Sequence, residues 1–231
     1  MRTILLHYHL FKNAGTSVDK NLQLNFGERW ITDEFPPGRE RTNAHLVARW
    51  IEENPSVIAF SSHTAEGPIP LLNNTRIISI LFLRDPIARI RSAYLFERTQ
   101  KTATWGAELA KKYSFGEYVR IRLEHPDDRQ CRNFQTFRLA HFQPGPEPEI
   151  VRACAASSEI SVLGFVEQFN ASMHRLSATL APFFPDFHWL NLHANRRATP
   201  DLIGPLDSRT MLLLEEANED DRTLIASVTP P

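Results

Sequence analysis

Residues 76–83 read Arg-Ile-Ile-Ser-Ile-Leu-Phe-Leu, and Arg84, Asp85 and Pro86 follow them directly. After the first residue nearly every position is apolar, so both faces of this segment are expected to be buried, as in an interior strand of a parallel sheet. Asp85 suits a helix N-cap and Pro86 suits the first helical position, which predicts a helix to about Arg98. This strand, turn and helix favour an α/β fold.

Strand and helix patterns alternate through the rest of the chain. Further strands are expected at 4–8, 56–61 and 160–166, a loop at 28–41, and helices at 16–26, 43–53, 113–125, 129–140, 168–180 and 208–225. Alternation of this kind is typical of a mainly parallel sheet with helices packed on its faces. We therefore predict a single domain over 1–231 with a three-layer α/β architecture.

The composition restricts the class of protein. The chain has 231 residues, of which 42% are hydrophobic and 23% charged, which suits one packed domain and excludes wholesale disorder. Lys and Arg number 26 against 27 Asp and Glu, a net charge of -1. A generic nucleic-acid coat protein is far more basic, so no nucleic-acid partner is expected and any anion must bind at a local basic cluster.

The two cysteines and the apolar segments predict a location. The two cysteines, Cys131 and Cys154, are too few for a disulfide scaffold or a Cys-only zinc site. We expect them to be reduced, buried thiols. The apolar start of residues 1–10 is too short for a signal-peptide core, and no segment approaches the roughly 20 apolar residues of a membrane helix. We expect a soluble, cytoplasmic protein with no membrane partner.

The first segment with chemical potential is residues 9–17, His-Leu-Phe-Lys-Asn-Ala-Gly-Thr-Ser. A strand, a short turn with Gly15 and a helix opened by Thr16 and Ser17 aim backbone N–H groups at a phosphate. Lys12 adds positive charge, although it precedes the glycine, so this is not a Walker motif. An ordinary strand-to-helix turn with a solvated lysine is the alternative.

The second segment is residues 83–94, Leu-Arg-Asp-Pro-Ile-Ala-Arg-Ile-Arg-Ser-Ala-Tyr. Arg84 stands at the carboxyl end of the strongest predicted strand, where open α/β sheets bind ligands. Ser92 follows two helical turns later, so both side chains are placed to flank one anion, which a guanidinium binds in a bidentate manner. The alternative is that Asp85 merely caps the helix and the arginines form its solvated face.

Together the two segments resemble the cofactor-binding loops of sulfotransferases that use 3'-phosphoadenosine 5'-phosphosulfate (PAPS). In that superfamily a Pro-Lys-Thr-Gly-Gly-Thr-Ser-like loop holds the 5'-phosphosulfate, and an Arg-Asp-Pro-x-x-Arg-x-x-Ser-x-Tyr-like segment holds the 3'-phosphate. The matching residues are Lys12, Gly15, Thr16 and Ser17 in the first segment, and Arg84, Asp85, Pro86, Arg89, Ser92 and Tyr94 in the second. The closest resemblance is to Golgi carbohydrate sulfotransferases and bacterial relatives, such as heparan 2-O-sulfotransferase-like proteins. Phe11 and Asn13 differ from the proline and the hydroxyl residue that are usual there.

Weaker similarity extends along the chain. Residues 62–67 match a loop in which these enzymes often place a histidine base, and 133–139 resemble an Asn-x-Gln-Thr-Arg-x-Leu segment. Residues 162–167 and 218–226 resemble the late strand and the final helix of the family. The resemblance therefore covers most of the chain, with its specific motifs in the two phosphate segments.

The resemblance implies a P-loop-like nucleotide-binding fold and transfer of a sulfuryl group from PAPS to an acceptor hydroxyl, on a carbohydrate in the branch it resembles. PAPS is then the co-substrate, the acceptor a glycan, and no metal is required. Lys12 is the candidate for stabilising the bridging oxygen, and Arg89 or Arg91 adds positive charge. The implied donor-binding residues are Lys12, Asn13, Ala14, Gly15, Thr16, Ser17, Arg84, Ser92 and Arg196. Arg196 lies in a late basic loop, for which a solvated turn is the alternative interpretation.

His63 is the candidate general base, because an imidazole titrates near neutral pH and this one follows a predicted strand. Glu66 is the second candidate, and a surface or capping role for His63 is the alternative. His7 and His9 alternate along the first strand and are expected to be structural.

Two other functions compete with sulfuryl transfer. A P-loop-like nucleotide or small-molecule kinase requires a Walker-type loop and a magnesium carboxylate, and would be favoured by magnesium-dependent ATP hydrolysis. A catalytically silent nucleotide-binding or interaction protein would bind nucleotide without turnover. Fold analogy alone does not establish an activity.

Overall fold

The computed structural model describes residues 1–37, 42–191 and 203–228. It contains an all-parallel sheet of five strands, β1 (Arg2–Tyr8), β2 (Trp30–Thr32), β3 (Ala59–Ser62), β4 (Thr75–Leu83) and β5 (Val162–Phe165). The strand order is β2-β3-β1-β4-β5. The buried 76–83 segment accordingly forms most of β4, an interior strand that pairs with β1 and β5. The predicted three-layer α/β class with a parallel central sheet is confirmed.

Ten α-helices lie in the described residues. They are α1 (Gly15–Phe26), α2 (Ala44–Glu53), α3 (Pro86–Thr99), α4 (Trp105–Lys112), α5 (Phe115–Glu124), α6 (Phe134–Ala140), α7 (Glu149–Ser157), α8 (Phe169–Leu180), α9 (Ser208–Glu216) and α10 (Glu219–Val228). None of these helices combines the length and the apolar character needed to cross a bilayer.

The helices bury the two faces of the sheet in separate apolar clusters. Successive side chains of a strand point to opposite faces, so Ile4, Leu6 and Tyr8 of β1 face one layer while Leu5 faces the other. The first layer packs against α2, α6, α7 and α10, and the second against α1 and α8. A third cluster joins α3, α4, α5 and α9.

Several predicted boundaries are wrong. The expected loop at 28–41 contains the edge strand β2, and the expected helix at 208–225 is two helices, α9 and α10. The helix expected at 129–140 begins only at Phe134, because Asn133 adopts a left-handed conformation with φ of 39°. Helices α4 and α7 were not predicted.

The sheet order determines where a ligand fits. The chain leaves β1 through α1 toward β2 on one side, whereas it leaves β4 toward β5 on the other. Parallel sheets bind ligands outside the carboxyl ends of their strands where such connections diverge. In this protein that position lies between the ends of β1 and β4, which carry the two predicted phosphate segments.

Candidate functional site

The loop between β1 and α1 has an unusual backbone. Lys12 and Ala14 both adopt positive φ angles, 66° and 60°. This region disfavours residues with a Cβ by roughly 1–2 kcal/mol each, so the surrounding structure must hold the loop in place. Within the described residues no side chain caps α1, and its N-cap is Ala14. The Ser17 N–H donates to the carbonyl oxygen of Ala14 at 2.9 Å, so the N–H groups that α1 can offer to an anion are those of Gly15 and Thr16.

A buried amide network fixes this loop to β4 and α6. The Nδ2 of Asn13 donates to the carbonyl oxygen of Phe82 at 2.7 Å and to Oε1 of Gln135 at 2.8 Å. Gln135 Oε1 also accepts from the Arg84 N–H at 2.8 Å, and its Nε2 donates to the Arg84 carbonyl at 2.8 Å. Both side-chain N–H groups of Asn13 are thus directed inward, and its backbone N–H donates to the carbonyl oxygen of Leu10 at 3.2 Å, so Asn13 holds the loop in place and directs no N–H group at a ligand.

The C-terminal helix α10 supports the same network. Asp221 Oδ1 accepts from the N–H of Thr136 at 2.7 Å, and Oδ2 accepts from the N–H of Gln135 at 3.2 Å. This carboxylate thereby accepts hydrogen bonds from the first N–H groups of α6. Its negative charge also interacts favourably with the positive N-terminal end of the helix dipole. The network gives a role to the side-chain amide of Gln135 and to the backbone N–H of Thr136, both in the 133–139 segment that the sequence analysis singled out without a role.

Arg84 joins the two predicted phosphate segments. Its Nη1 donates to the carbonyl oxygen of Lys12 at 3.0 Å. Burial lowers the pKa of its guanidinium, while the charges of Glu167 and Asp85 oppose that shift. A partly desolvated guanidinium that remains charged is a strong site for an anion. Lys12 Nζ lies 4.6 Å from the centre of the Phe96 ring on α3, so its side chain also reaches toward the second segment.

Helix α3 starts as the sequence predicts. Asp85 is its N-cap and accepts from the N–H of Ala88 at 2.7 Å, with Pro86 at the first position. Ser92 is half-buried in the middle of this helix. Arg89 differs from expectation, because it is fully buried, donates to Gln130 and lies 4.4 Å from the centre of the Phe134 ring. Arg89 is therefore a core residue and supplies no charge to a ligand.

His63 lies beside a carboxylate that sequence reasoning missed. The His63 side chain is 53% exposed and its Nδ1 is 2.6 Å from Oε1 of Glu34, in the loop after β2. Glu34 also accepts from the Thr64 N–H at 2.9 Å and from Thr64 Oγ1 at 2.7 Å. Burial alone raises the pKa of Glu34, but the hydrogen bonds from Thr64 and His63 outweigh it and lower that pKa. With Nδ1–H donated to this carboxylate, the Nε2 of His63 is left as a proton acceptor.

Glu66, the second candidate base, is buried. Its Oε1 lies 3.6 Å from His141 Nδ1 and 3.9 Å from Arg138 Nη1. Arg138 also donates to the carbonyl oxygens of Ala65 at 2.9 Å and His63 at 3.2 Å. This group stabilises the loop that carries His63, and the exposed imidazole of His63 is the better placed base.

His7 and His9 share one carboxylate. Their Nδ1 atoms each lie 2.7 Å from a different oxygen of Asp19, on α1. Burial alone raises the pKa of Asp19, yet the charges and hydrogen bonds of His7 and His9 bring it far below its usual range. The three side chains place potential metal ligands within 4.8 Å of one another. However, each Nδ1 lies at hydrogen-bond distance from its own carboxylate oxygen, 2.7 Å in both cases, which suits two hydrogen bonds better than one shared metal.

The remaining predicted residues divide into two groups. Thr16 and Ser17 lie in the first turn of α1, next to the uncapped N–H groups. Arg196 lies outside the described residues. In sheet order, the carboxyl ends of β2, β3, β1 and β4 therefore present Glu34, His63, the loop with Lys12, and Arg84 along one edge.

Comparison with known proteins identifies a full-length relative. The chain is 37% identical over 227 residues to a protein of Archaeoglobus fulgidus named "Uncharacterized protein", and the match covers 95% of this chain and 88% of that protein. No family model matches the chain.

Proposed function

We propose that this chain, which belongs to the same family as the Archaeoglobus fulgidus protein, is a sulfotransferase. It would move a sulfuryl group from PAPS to a hydroxyl group of a carbohydrate acceptor. The two free thiols, Cys131 and Cys154, agree with the reducing cytoplasm that we propose as its location.

The contact between Arg84 Nη1 and the Lys12 carbonyl oxygen carries this proposal. It shows that the loop with Lys12 and Arg84 are in contact at the carboxyl ends of β1 and β4, and this proximity supports the proposal. The uncapped N-terminus of α1 on the β1 side suits the 5'-phosphosulfate. Arg84 follows β4, and the resemblance assigns the 3'-phosphate to it.

The proposed reaction needs a base and charge stabilisation. The acceptor O–H bond breaks and its proton passes to Nε2 of His63, while the oxygen forms a bond to sulfur. The bond between sulfur and the bridging oxygen breaks, and its electron pair stays on the 5'-phosphate of the leaving adenosine 3',5'-bisphosphate. Lys12 offsets the charge on that oxygen, and Glu34 stabilises the imidazolium of His63.

Calorimetric binding of adenosine 3',5'-bisphosphate without magnesium tests the donor site, with ADP and ATP as comparators. We expect tight binding that requires the 3'-phosphate. Arg84→Ala should weaken it at least 10-fold, because a charge-assisted hydrogen bond contributes about 1.5–3 kcal/mol. Arg49→Ala is the matched control, since Arg49 is exposed on α2, and its binding should equal the wild type.

The other outcomes separate the competing functions. A preference for ATP with magnesium would replace this proposal with the kinase. Binding of adenosine 3',5'-bisphosphate without transfer to any of a broad acceptor panel would favour the silent nucleotide-binding protein. For a sulfotransferase, His63→Ala should leave donor binding intact and reduce transfer at least 100-fold, because it removes the base and not the phosphate contacts.

A further inference from the structure

The hydrogen bonds of Asp19 determine which nitrogen of His9 faces a ligand. A carboxylate only accepts hydrogen bonds, so the Nδ1 of His9 carries the proton that is donated to Asp19 Oδ2. Its Nε2 has no hydrogen-bond partner in the described part of the chain. The side chain is 8% exposed, so Nε2 belongs to an imidazole that is nearly buried.

The position of Gly15 shows where that nitrogen lies. A Cβ built on Gly15 would come within 2.0 Å of Cδ2 and 2.2 Å of Nε2 of His9. Together with a distance of 2.4 Å to Cγ, these values put Gly15 over the face of the ring on its Cδ2–Nε2 side, so Nε2 lies beside the first residue of α1. This is the same uncapped helix end that, in the proposed function, binds the 5'-phosphosulfate.

The charges around His9 favour its neutral form in the free protein and its protonated form once an anion is bound. In the free protein, burial lowers the pKa of His9, and the charge of His7 acts in the same direction, while Asp19 and Glu34 oppose them. The centre of the His63 ring lies 3.9 Å from that of the His9 ring, so the two imidazoles are in contact. An anion at the N-terminus of α1 would supply the negative charge that a protonated His9 lacks.

We propose that His9 is a further ligand of the phosphosulfate group and binds it as an imidazolium, donating Nε2–H to the anion and Nδ1–H to Asp19. Asp19 is then a positioning residue that fixes the ring and balances its charge. This inference rests on the proposed function and deepens it. It requires that donor binding near neutral pH take up a proton, which adds to His9 Nε2 from solvent.

Proton uptake is measurable without any acceptor. Calorimetry of adenosine 3',5'-bisphosphate binding at pH 7.5, in buffers with different heats of ionisation, gives the number of protons exchanged. We expect net uptake by the wild type. The ligand itself would release protons, because phosphate groups with a second pKa near 6 lose protons in a cationic site. Adenosine 3'-monophosphate lacks the 5'-phosphate and should bind without uptake.

Variants identify the residue responsible. His9→Gln should abolish the uptake and weaken binding about 10-fold, and Asp19→Asn should reduce both while keeping the imidazole. The matched control is His45→Gln, because His45 is exposed on α2, and it should behave as the wild type.

The failures are distinguishable. If the wild type does not bind adenosine 3',5'-bisphosphate, the proposed function and this inference both fall. If it binds but takes up no proton between pH 6.5 and 8, or if His9→Gln keeps the uptake, only the inference falls. The wild-type measurement decides the matter even if His9→Gln does not fold.

Discussion

Replacing Asn13 with alanine tests whether the buried amide network holds the loop between β1 and α1. The change removes two buried hydrogen bonds, of 2.7 Å to the Phe82 carbonyl and 2.8 Å to Gln135 Oε1. Each contributes about 1–1.5 kcal/mol, and the loss also leaves the Phe82 carbonyl with fewer partners. Removal of Asn13 Oδ1, which is buried without a partner in the described residues, offsets part of this cost. The free energy of unfolding should fall by about 2–3 kcal/mol.

Thermal and denaturant unfolding measure this loss. For a chain of this size about 1 kcal/mol corresponds to roughly 2–4 °C, so the midpoint should fall by about 5–10 °C. Asn13→Asp should be worse than Asn13→Ala, because its carboxylate would face two oxygen acceptors in a buried position. Asn73→Ala, at an exposed position, is the control and should change stability by less than about 0.5 kcal/mol. A loss below about 0.5 kcal/mol for Asn13→Ala, or a more stable Asn13→Asp, would refute the network.

Three further predictions concern packing, pH and thiol reactivity. Gly15→Ala should displace the His9 ring, destabilise the fold by about 1–3 kcal/mol and weaken binding of adenosine 3',5'-bisphosphate; unchanged unfolding and binding curves would contradict the contact. The folded state lowers the pKa of His9 and of Asp19, so it binds fewer protons than the unfolded chain where these groups titrate. The free energy of unfolding should therefore decrease as pH falls below about 6.5, because of His9, and again in the acid range, because of Asp19. Asp19→Asn should flatten the acid-range part of this dependence in urea titrations at several pH values, because it removes the Asp19 carboxylate, and an equally steep acid-range slope would count against it. Burial raises the pKa of Cys131 to about 12, so iodoacetamide should modify the half-buried Cys154 and spare Cys131 in the native protein, as peptide mass analysis would show.

Local signals in the sequence were sufficient for the strand-to-helix turns. The buried segment at 76–83 and the Asp85-Pro86 start of α3 depend on neighbouring residues, and both appear as predicted. The edge strand β2 has three residues and lies in a segment rich in proline, so its pairing with β3 carries little local signal. The break between α9 and α10 likewise lacks a proline or glycine to mark it.

The candidate site was only partly predictable, for a physical reason. Lys12 and Arg84 could be chosen because each follows a recognisable strand end. The carboxylates that orient the imidazoles, Asp19 and Glu34, contact them only in the folded chain. The sequence also indicates Arg89 or Arg91 as a source of positive charge for the donor, with a solvated helix face as the alternative. Arg89 is instead buried, since the helical cluster beyond the sheet covers that side of α3.

The contact of Asp221 with α6 also bears on when the hydrogen-bond network can form during protein synthesis. Asp221 satisfies the N–H groups of Gln135 and Thr136, and Gln135 in turn holds Asn13 and Arg84. The ribosome adds Asp221 about 200 residues after Asn13, roughly 10–40 s later at ordinary rates of synthesis. A nascent chain therefore carries the loop between β1 and α1 well before the carboxylate that completes its hydrogen-bond network has been synthesised.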